Sequence, residues 1–333
     1  MAQLLEGKVA VVTGAGRGLG RAHAIALANE GASVVVNDYG VAINGSGASK
    51  SPADEVVEEI RKAGGKSVAN YDSVAESQGA QNIIKTAMDN FGKLDILVNN
   101  AGILRDRMVY NMTDEEWDLV LKTHLYGTFY CTRTACQIMR ERKYGRIINT
   151  SSSAGMGNIG QANYSAAKEG IVGLTRTVAR DMARYGITCN AVRPVAASRM
   201  NINKQLYQTW VKSVGQEKAD EFKRQLEARK PEDVSPMVVF LATEQASSIT
   251  ACVFDVTYNY IAIYDDPPRF WRIITKKEGR WLPDELVGLM PKTLTAQVET
   301  SPPGIWLRIT PDAKAWEWAD KTLREVPPAV YQI

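Results

Sequence analysis

Tyr164 and Lys168 are the two residues of this chain whose types and spacing best suit proton transfer. They stand four positions apart in "NYSAAKEG", so a helix places both side chains on one face. A phenol with its usual pKa of about 10 is a weak base at neutral pH, and a neighbouring ammonium group lowers that pKa. Ser151, thirteen residues before the tyrosine and just after a predicted strand, is placed to hydrogen-bond a reacting oxygen. Taken alone, the tyrosine and lysine also fit an ordinary surface pair.

A glycine-rich turn near the N-terminus predicts a phosphate site. In "VVTGAGRGLGRA", a β-branched run ends at Gly14, and Gly18 and Gly20 open a helical pattern. Glycines there allow a tight turn and let the backbone approach a pyrophosphate, whose charge the helix N-terminus favours. The turn, with Arg17 and Leu19, is therefore predicted to bind a dinucleotide. A glycine turn without a ligand is the alternative.

Asp38, at the end of the second predicted strand, indicates which dinucleotide. Its carboxylate can accept hydrogen bonds from the adenosine ribose hydroxyls and would repel a 2′-phosphate, which favours NAD. Arg17 favours NADP instead, because a guanidinium can pair with a 2′-phosphate. We predict NAD, since only protonation or a shielding cation would remove the repulsion from the carboxylate.

Short apolar runs alternate with helical patterns along most of the chain. Strands are predicted at "KVAVVTG", "SVVVND", "KSVANYD", "LDILVNNAG", "GRIINTSS", "ITCNAVRP" and near residues 252–257. A capping box, Thr113 to Glu116, opens one of the helices. This alternation predicts an α/β fold, a doubly wound parallel sheet (Rossmann fold) over residues 1–264, with its site at the carboxyl ends of the strands. The sheet is expected to end near residue 260.

Two segments depart from the alternation. Residues 201–230 show apolar positions at helical spacing among charged ones and are predicted to form one or two amphipathic helices, a possible substrate lid. Residues 265–333 form a Trp- and Pro-rich C-terminal extension with five of the seven tryptophans. We expect the extension to pack on the main domain or a neighbouring subunit; a substrate wall is the alternative.

Composition excludes several classes of function. The net charge of +3 indicates no nucleic-acid partner, and no apolar run is long enough to span a membrane. The four cysteines lack CxxC spacing and nearby histidines, so no metal is predicted. The N-terminus has no signal-peptide pattern, and we expect a cytoplasmic protein.

Together, TGAGRGLG, NNAG and YSAAK with its preceding serine make the chain resemble the classical short-chain dehydrogenase/reductase family. The resemblance implies Tyr164 as acid/base, Lys168 as the residue that binds the nicotinamide ribose and lowers the pKa of the tyrosine, and Ser151 as the group that positions the substrate oxygen. It also implies cofactor contacts at Asp72, Ser73, Asn100, Ala101, Gly102 and Pro194. A homo-oligomer, dimer or tetramer, is expected from the family, with an apolar face over residues 117–139.

His124, in "LKTHLYGTF", is one of two histidines in the chain. Its pKa range makes histidine a common general base, which makes it an obvious candidate. In the family this position is usually an asparagine that helps hold a water beside the lysine. The resemblance therefore implies a supporting part for His124 in that relay; an imidazole packed in the core without a relay role is the alternative.

A narrower similarity, to the (3R)-hydroxyacyl-CoA dehydrogenase part of the multifunctional enzyme type 2 group, is carried by "NNAGILRDR", "YGRII", "GQANYSAAK" and "SRM". It implies oxidation of a 3-hydroxyacyl-CoA to a ketone, and peroxisomal residence as a second possibility. Arg105 and Arg107 are candidates for the CoA phosphates, although both fit surface ion pairs equally. A 17β-hydroxysteroid is the alternative substrate. A non-catalytic dinucleotide-binding interaction module is the alternative of another class.

Overall fold

The computed structural model describes residues 3–197, 202, 207–208, 211–212, 214–264 and 283–292. The chain separates into two compact units, Met1–Asp266 and Pro267–Ile333. The first unit carries the sheet and all of the predicted site residues. In the second unit a helix, Pro283–Leu289, and a 3₁₀ turn, Met290–Lys292, are described. The five tryptophans of the predicted extension lie outside the described residues.

Eight strands form one sheet in the first unit. They are β1 Val9–Thr13, β2 Ser33–Asn37, β3 Ser67–Asn70, β4 Ile96–Asn99, β5 Gly145–Thr150, β6 Ile187–Pro194, β7 Val253–Thr257 and β8 Tyr260–Ile263. Their spatial order is β3-β2-β1-β4-β5-β6-β7-β8, and all neighbours are parallel except β7 and β8. The winding direction reverses between β1 and β4, which creates a crevice at the carboxyl ends of these strands.

Helices cover both faces of this sheet. They are α1 Gly18–Asn29, α2 Ser51–Lys62, α3 Ser77–Phe91, α4 Asp114–Leu121, α5 Gly127–Arg142, α6 Ala162–Met182, α7 Gln216–Glu227 and α8 Ser235–Ala242. One core joins α1, α2 and α8 to one face of the strands. A second core joins α3, α5 and the end of α6 to the other face. The predicted doubly wound sheet is confirmed, as a mostly parallel one.

Local sequence explains how the helices near the site begin and bend. The predicted capping box is present: the Thr113 hydroxyl accepts from the backbone N–H of Glu116, and the Glu116 carboxylate accepts from the N–H of Thr113. Between α4 and α5 the chain stays helical but widens into a π-helical turn, Lys122–Tyr126. Such turns cluster at functional sites because they re-aim side chains.

The sheet continues one strand beyond its predicted end. After β7, residues 258–259 form a turn and β8 returns antiparallel, pairing Ile261 with Val256. Ile261 and Ile263 are exposed, so β8 lacks the buried apolar pattern that identified the other strands. Within the predicted lid, α7 is a helix, as expected. Most of residues 198–213 lie outside the described part of the chain, and the lid role stays a prediction.

In the part of the chain that the structure describes, no helix combines the length and hydropathy needed to cross a membrane.

Candidate functional site

The turn between β1 and α1 forms an open cradle. Gly14 and Gly18 have positive φ angles of 62° and 53°, which glycine adopts readily. A Cβ at Gly14 would lie 2.7 Å from the Cα of Ala101, and one at Gly20 would lie 2.1 Å from the Gly14 carbonyl oxygen. A Cβ at Gly18 would meet nothing within 4 Å, so space remains above the turn. Arg17 provides no side-chain cap, which leaves N–H donors of the first turn of α1 available to a pyrophosphate.

Residues after β4 brace the cradle. The Thr13 hydroxyl oxygen accepts from the backbone N–H groups of Asn100 at 3.0 Å and Ala101 at 3.1 Å. The Asn100 side-chain amide donates to the carbonyl oxygens of Thr13 at 3.0 Å and Gly14 at 3.1 Å. Leu19 packs against the core below the turn. Asn100, predicted as a cofactor contact, therefore also holds the glycine turn in shape.

Asp38 is fixed beside the same turn. Its Oδ2 accepts from the Gly16 N–H at 2.7 Å, and its Oδ1 accepts from the Gly40 N–H at 2.7 Å. A Cβ at Gly16 would lie 2.8 Å from Oδ2, so the close approach requires glycine. Arg17 is exposed to solvent. A negative charge thus stands at the position predicted for the adenosine ribose.

Asp72 and Ser73, predicted as cofactor contacts, follow the end of β3. The side-chain amide of Asn82 donates to Asp72 Oδ1 at 3.0 Å, and that of Asn70 donates to Oδ2 at 2.8 Å. These amides orient the carboxylate without charge. Because β3 neighbours β2, the structure brings Asp72 and Asp38 to the same side of the cradle.

Tyr164 and Lys168 lie on α6, next to the end of β5. The Lys168 ammonium group donates to the Thr150 carbonyl oxygen at 2.6 Å and stands 5.5 Å from the centre of the Tyr164 ring. Lys168 is buried, and Tyr164 is partly buried. The structure therefore places a phenol and an amine together at the edge where the cradle opens.

The two serines after β5 take different positions. Ser151 continues the strand: its N–H donates to the Val192 carbonyl oxygen at 2.8 Å, and its Oγ donates to the Lys168 carbonyl oxygen at 2.9 Å. The Ser152 side chain accepts from the Ala154 N–H at 3.2 Å and is near enough to Tyr164 to lower the pKa of its phenol. Successive side chains of an extended chain point to opposite sides, which separates these neighbours. The Ser151 hydroxyl is buried and already paired within the protein, so its predicted role of positioning a substrate oxygen stays a prediction, and Ser152 becomes a second candidate for that role.

Burial controls the proton affinity of the pair. Loss of hydration raises the pKa of Tyr164 to about 12; the nearby Ser152 side chain lowers it and the charge of Asp106 raises it further. Burial also lowers the pKa of Lys168 to about 7. The lysine was expected to lower the pKa of the tyrosine; in the protein alone the loss of hydration dominates, and the pKa of the phenol is raised instead.

His124 lies in the π-helical turn and is buried. Its Nε2 is 2.8 Å from the Ile103 carbonyl oxygen and 3.1 Å from the Ile103 backbone nitrogen. The imidazole meets the Tyr164 ring edge-on, with ring centres 5.1 Å apart. Burial and then the charge of Lys168 lower the pKa of His124 to about 3. A Cβ at Gly102 would lie 2.3 Å from its Cε1, so this imidazole fits only beside glycine.

A neutral imidazole in this setting is a poor proton acceptor, which argues against His124 as the base. Its Nδ1 is buried without a hydrogen-bond partner among the described residues. A buried polar nitrogen of this kind usually bonds an ordered water. The surroundings of His124 fit the supporting role that the resemblance implies.

Asn163 is a site residue that the sequence analysis missed. It is fully buried, and its side-chain oxygen accepts from the Tyr164 N–H at 2.7 Å. Its amide nitrogen donates to the carbonyl oxygens of Arg105 at 3.0 Å and Glu116 at 2.9 Å. Asn163 thereby ties the start of α6 to α4 and to the segment after β4. Its place directly before the tyrosine was the only signal in the sequence.

The arginines predicted to meet CoA phosphates have partners within the protein. Arg105 Nε donates to the Asn44 carbonyl oxygen at 2.6 Å, which joins the segment after β4 to the loop after β2. Arg107 forms an ion pair with Glu116 at 2.9 Å. For Arg107 the structure shows the surface ion pair that the sequence left open as the alternative.

Pro194 ends β6 at the same edge of the sheet. The next residue is held to β7, since the Val195 N–H donates to the Val256 carbonyl oxygen at 2.9 Å and the Thr257 hydroxyl donates to the Val195 carbonyl oxygen at 3.0 Å. Buried Arg193 pairs with Glu169, the residue after Lys168, at 2.8 Å. These contacts hold the end of β6 in place against β7 and α6.

Comparison with known proteins agrees with this geometry. The family model for "short chain dehydrogenase" matches residues 8–210. The chain is 48% identical over 240 residues to mouse "peroxisomal multifunctional enzyme type 2". The aligned region is 72% of this chain but only 30% of that longer protein. It is 39% identical over 295 residues to "hydroxyacyl-CoA dehydrogenase ChsB1" of Mycobacterium tuberculosis, covering 86% of this chain and 88% of that one. The crystal structure of a short chain dehydrogenase from Mycobacterium avium superposes with a TM-score of 0.72 at 42% identity, covering 87% and 95% of the two chains.

Proposed function

The chain belongs to the short-chain dehydrogenase family, and we propose that it oxidises the secondary alcohol of a (3R)-3-hydroxyacyl-CoA to a ketone with NAD⁺. The observation that carries the proposal is the position of the buried Lys168 ammonium group, 5.5 Å from the centre of the Tyr164 ring and held by the Thr150 carbonyl oxygen at 2.6 Å, next to the glycine cradle. This arrangement sets a proton-transfer group, a hydrogen-bonding group and a dinucleotide cradle around one edge of the sheet.

The proton steps follow from these residues. Ser152 and Tyr164 hold the carbinol oxygen between their hydroxyl groups, and Tyr164 in its ionised form takes the carbinol proton. NAD⁺, which the glycine turn and Asp38 would hold, would supply the hydride acceptor for the carbinol carbon. Lys168, with a pKa lowered to about 7, can exchange a proton at neutral pH and pass it outward. The high pKa of Tyr164 predicts that oxidation becomes faster as pH rises, because more of the phenol is ionised.

Asp38 supports NAD as the cofactor. Its carboxylate is held by two backbone N–H groups at 2.7 Å, so it cannot swing away from the ribose position. A 2′-phosphate there would meet an oriented negative charge. The Arg17 side chain is exposed and would have to move in order to offset the repulsion between Asp38 and a 2′-phosphate.

The substrate class rests on the relatives. The names of the Mycobacterium tuberculosis and mouse proteins support an acyl-CoA substrate, and the longer similarity to the former reaches past the predicted lid. No contact in the described residues shows a dedicated CoA phosphate clamp, since Arg105 and Arg107 have protein partners.

The test is an initial-rate assay of the full chain with NAD⁺, following absorbance of the reduced cofactor. We expect turnover of (3R)-3-hydroxydecanoyl-CoA and little turnover of a 17β-hydroxysteroid. Faster turnover of the 17β-hydroxysteroid than of the acyl-CoA would show that the proposed substrate class is wrong. Binding of NAD⁺ without turnover of either compound would indicate a non-catalytic binding module. The same assay with NADP⁺ in place of NAD⁺ tests the cofactor preference that we attribute to Asp38.

A further inference from the structure

The loop that joins β2 to α2 folds into a compact unit over residues 40–49; we call it the β2 loop. Its two ends meet, because a Cβ at Gly40 would overlap the carbonyl oxygen of Ser49. Within it, the Asn44 side-chain oxygen accepts from the Ser46 N–H at 3.1 Å and from the Ser46 hydroxyl at 2.7 Å. These internal bonds give the loop a defined shape, as in compact surface loops that carry function.

The β2 loop contacts the segment after β4 through two of its carbonyl groups. The Leu104 N–H donates to the Ile43 carbonyl oxygen at 2.8 Å. The Arg105 Nε donates to the Asn44 carbonyl oxygen at 2.6 Å, and the Arg105 side chain is half-buried. The charge on the guanidinium donor strengthens this second bond. Both residues after β4 are therefore held against the loop.

The backbone of Arg105 is also bound to the start of α6. Its carbonyl oxygen accepts from the Asn163 side-chain amide at 3.0 Å, and the Asn163 side-chain oxygen accepts from the Tyr164 N–H at 2.7 Å. Asn163 is fully buried, so these bonds do not compete with bulk water. Three hydrogen bonds thus lead from Asn44 through Arg105 and Asn163 to Tyr164.

The base of the β2 loop lies at Asp38. The Gly40 N–H donates to Asp38 Oδ1 at 2.7 Å, and the Gly16 N–H of the cradle donates to Oδ2 at 2.7 Å. The loop therefore connects the proposed ribose side of the site with the proton-transfer side. The Arg105 side chain itself bonds to the loop and not to the glycine turn.

We infer that Arg105 is a positioning residue for proton transfer: its guanidinium group, held by the β2 loop, fixes the backbone segment that holds Asn163 and Tyr164. The inference rests on the proposed function for the role of Tyr164. A displacement of a reacting group by about 1 Å can lower a rate about 10²-fold. Loss of the Arg105 bond should therefore lower kcat, whereas the Kd for NAD⁺ should stay unchanged.

The first test is Arg105→Met, which removes the bond to Asn44 and keeps a long side chain. We expect kcat with NAD⁺ and (3R)-3-hydroxydecanoyl-CoA to fall about tenfold. The pH profile of kcat should also shift, because a displaced Tyr164 changes its distance from the Lys168 ammonium group. Arg105→Lys keeps a charged donor and should recover part of the lost kcat.

Two further variants test the path through the loop. Arg61→Met is the matched control: Arg61 Nε also donates to a backbone carbonyl, that of Ser67 at 3.1 Å, at the start of β3 and away from the site edge, so kcat and its pH profile should not change. Asn44→Ala removes the side chain that shapes the loop and should also lower kcat. Combined with Arg105→Met it should add no further loss, because both changes break one connection; additive losses would overturn the role of the loop.

Hydrogen exchange gives a readout that needs no substrate. The Tyr164 N–H is bonded to Asn163, so its exchange should be faster in Arg105→Met than in the unaltered protein. Unchanged exchange, or faster exchange with an unchanged kcat in an active enzyme, overturns the inference. Weaker decanoyl-CoA binding at an unchanged kcat also overturns it, because the guanidinium would then serve the CoA phosphates. If exchange is faster but the unaltered protein oxidises no acyl-CoA, the positioning role stands and only the proposed reaction fails.

Discussion

Replacing each of the adjacent serines by alanine should produce two different defects. Ser152→Ala removes the hydroxyl that lies near Tyr164 and is proposed to hold the carbinol oxygen. Ser151→Ala removes a buried hydroxyl that donates to the Lys168 carbonyl oxygen at 2.9 Å. The first change should impair the reaction, and the second should impair folding stability.

The magnitudes follow from the surroundings of each hydroxyl. A donor aimed at a reacting oxygen typically contributes about 10²–10³-fold to kcat, so Ser152→Ala should lose that much. Its stability should change little, because Ser152 is only partly buried and its hydroxyl oxygen accepts a weak turn contact from the Ala154 N–H at 3.2 Å. For Ser151→Ala the lost neutral hydrogen bond should lower the free energy of unfolding by about 1 kcal/mol, with kcat nearly unchanged.

Two assays on the same preparations decide the matter. Urea unfolding reports the free energy, and initial rates with NAD⁺ and (3R)-3-hydroxydecanoyl-CoA report kcat. Each variant serves as the control for the other, since the substitution is identical. A large loss of kcat in Ser151→Ala with a fully active Ser152→Ala would refute the assignment drawn from the structure.

Three further changes have defined outcomes. Asp38→Ala should raise kcat/KM with NADP⁺ and lower it with NAD⁺, in steady-state assays with both cofactors; an unchanged preference would contradict the ribose contact. Burial lowers the pKa values of His23 to about 4 and His124 to about 3, so the unfolded chain binds protons that the folded chain does not as pH falls below 6.5. Each histidine should therefore reduce the free energy of unfolding by about 2 kcal/mol at pH 5. In His23→Gln the free energy of unfolding measured in urea should fall less between pH 7 and pH 5 than it does in the unaltered protein. An equal fall in the two proteins would refute this account. Asn163→Ala should lower kcat and shift its pH profile while the Kd for NAD⁺ stays constant, because Asn163 positions Tyr164 and lies apart from the cradle; an unaltered kcat and pH profile would show that its role is structural only.

The fold could be predicted because each buried strand of a parallel sheet is a short apolar run that is visible in the sequence. β1, β2 and β4 to β7 are buried along nearly their whole length. β8 escaped prediction because it lies at the edge, is mostly exposed and follows a two-residue turn. Its pairing depends on β7, which no local pattern records.

The site was predictable where residue type carries the chemistry, as for Tyr164, Lys168 and Asp38, whose roles in catalysis and binding stay proposals. Counting residues back from Tyr164 selected Ser151, but the strand continues through Ser151, whose N–H still bonds to β6. Only the three-dimensional path shows that the next side chain, that of Ser152, turns towards the tyrosine. Asn163 was missed for the same reason, since its value lies in joining the N–H of the next residue, Tyr164, to two carbonyl oxygens from distant segments.

The most direct test of the proposed reaction is turnover by Tyr164→Phe. The assay uses NAD⁺ and (3R)-3-hydroxydecanoyl-CoA, with the Kd for NAD⁺ measured on the same samples. Phenylalanine keeps the ring that meets His124 but has no proton to exchange. We predict an unchanged Kd and a loss of kcat of about 10²–10⁴-fold, the usual contribution of a general base. A variant that binds NAD⁺ and turns over at the normal rate would contradict the account.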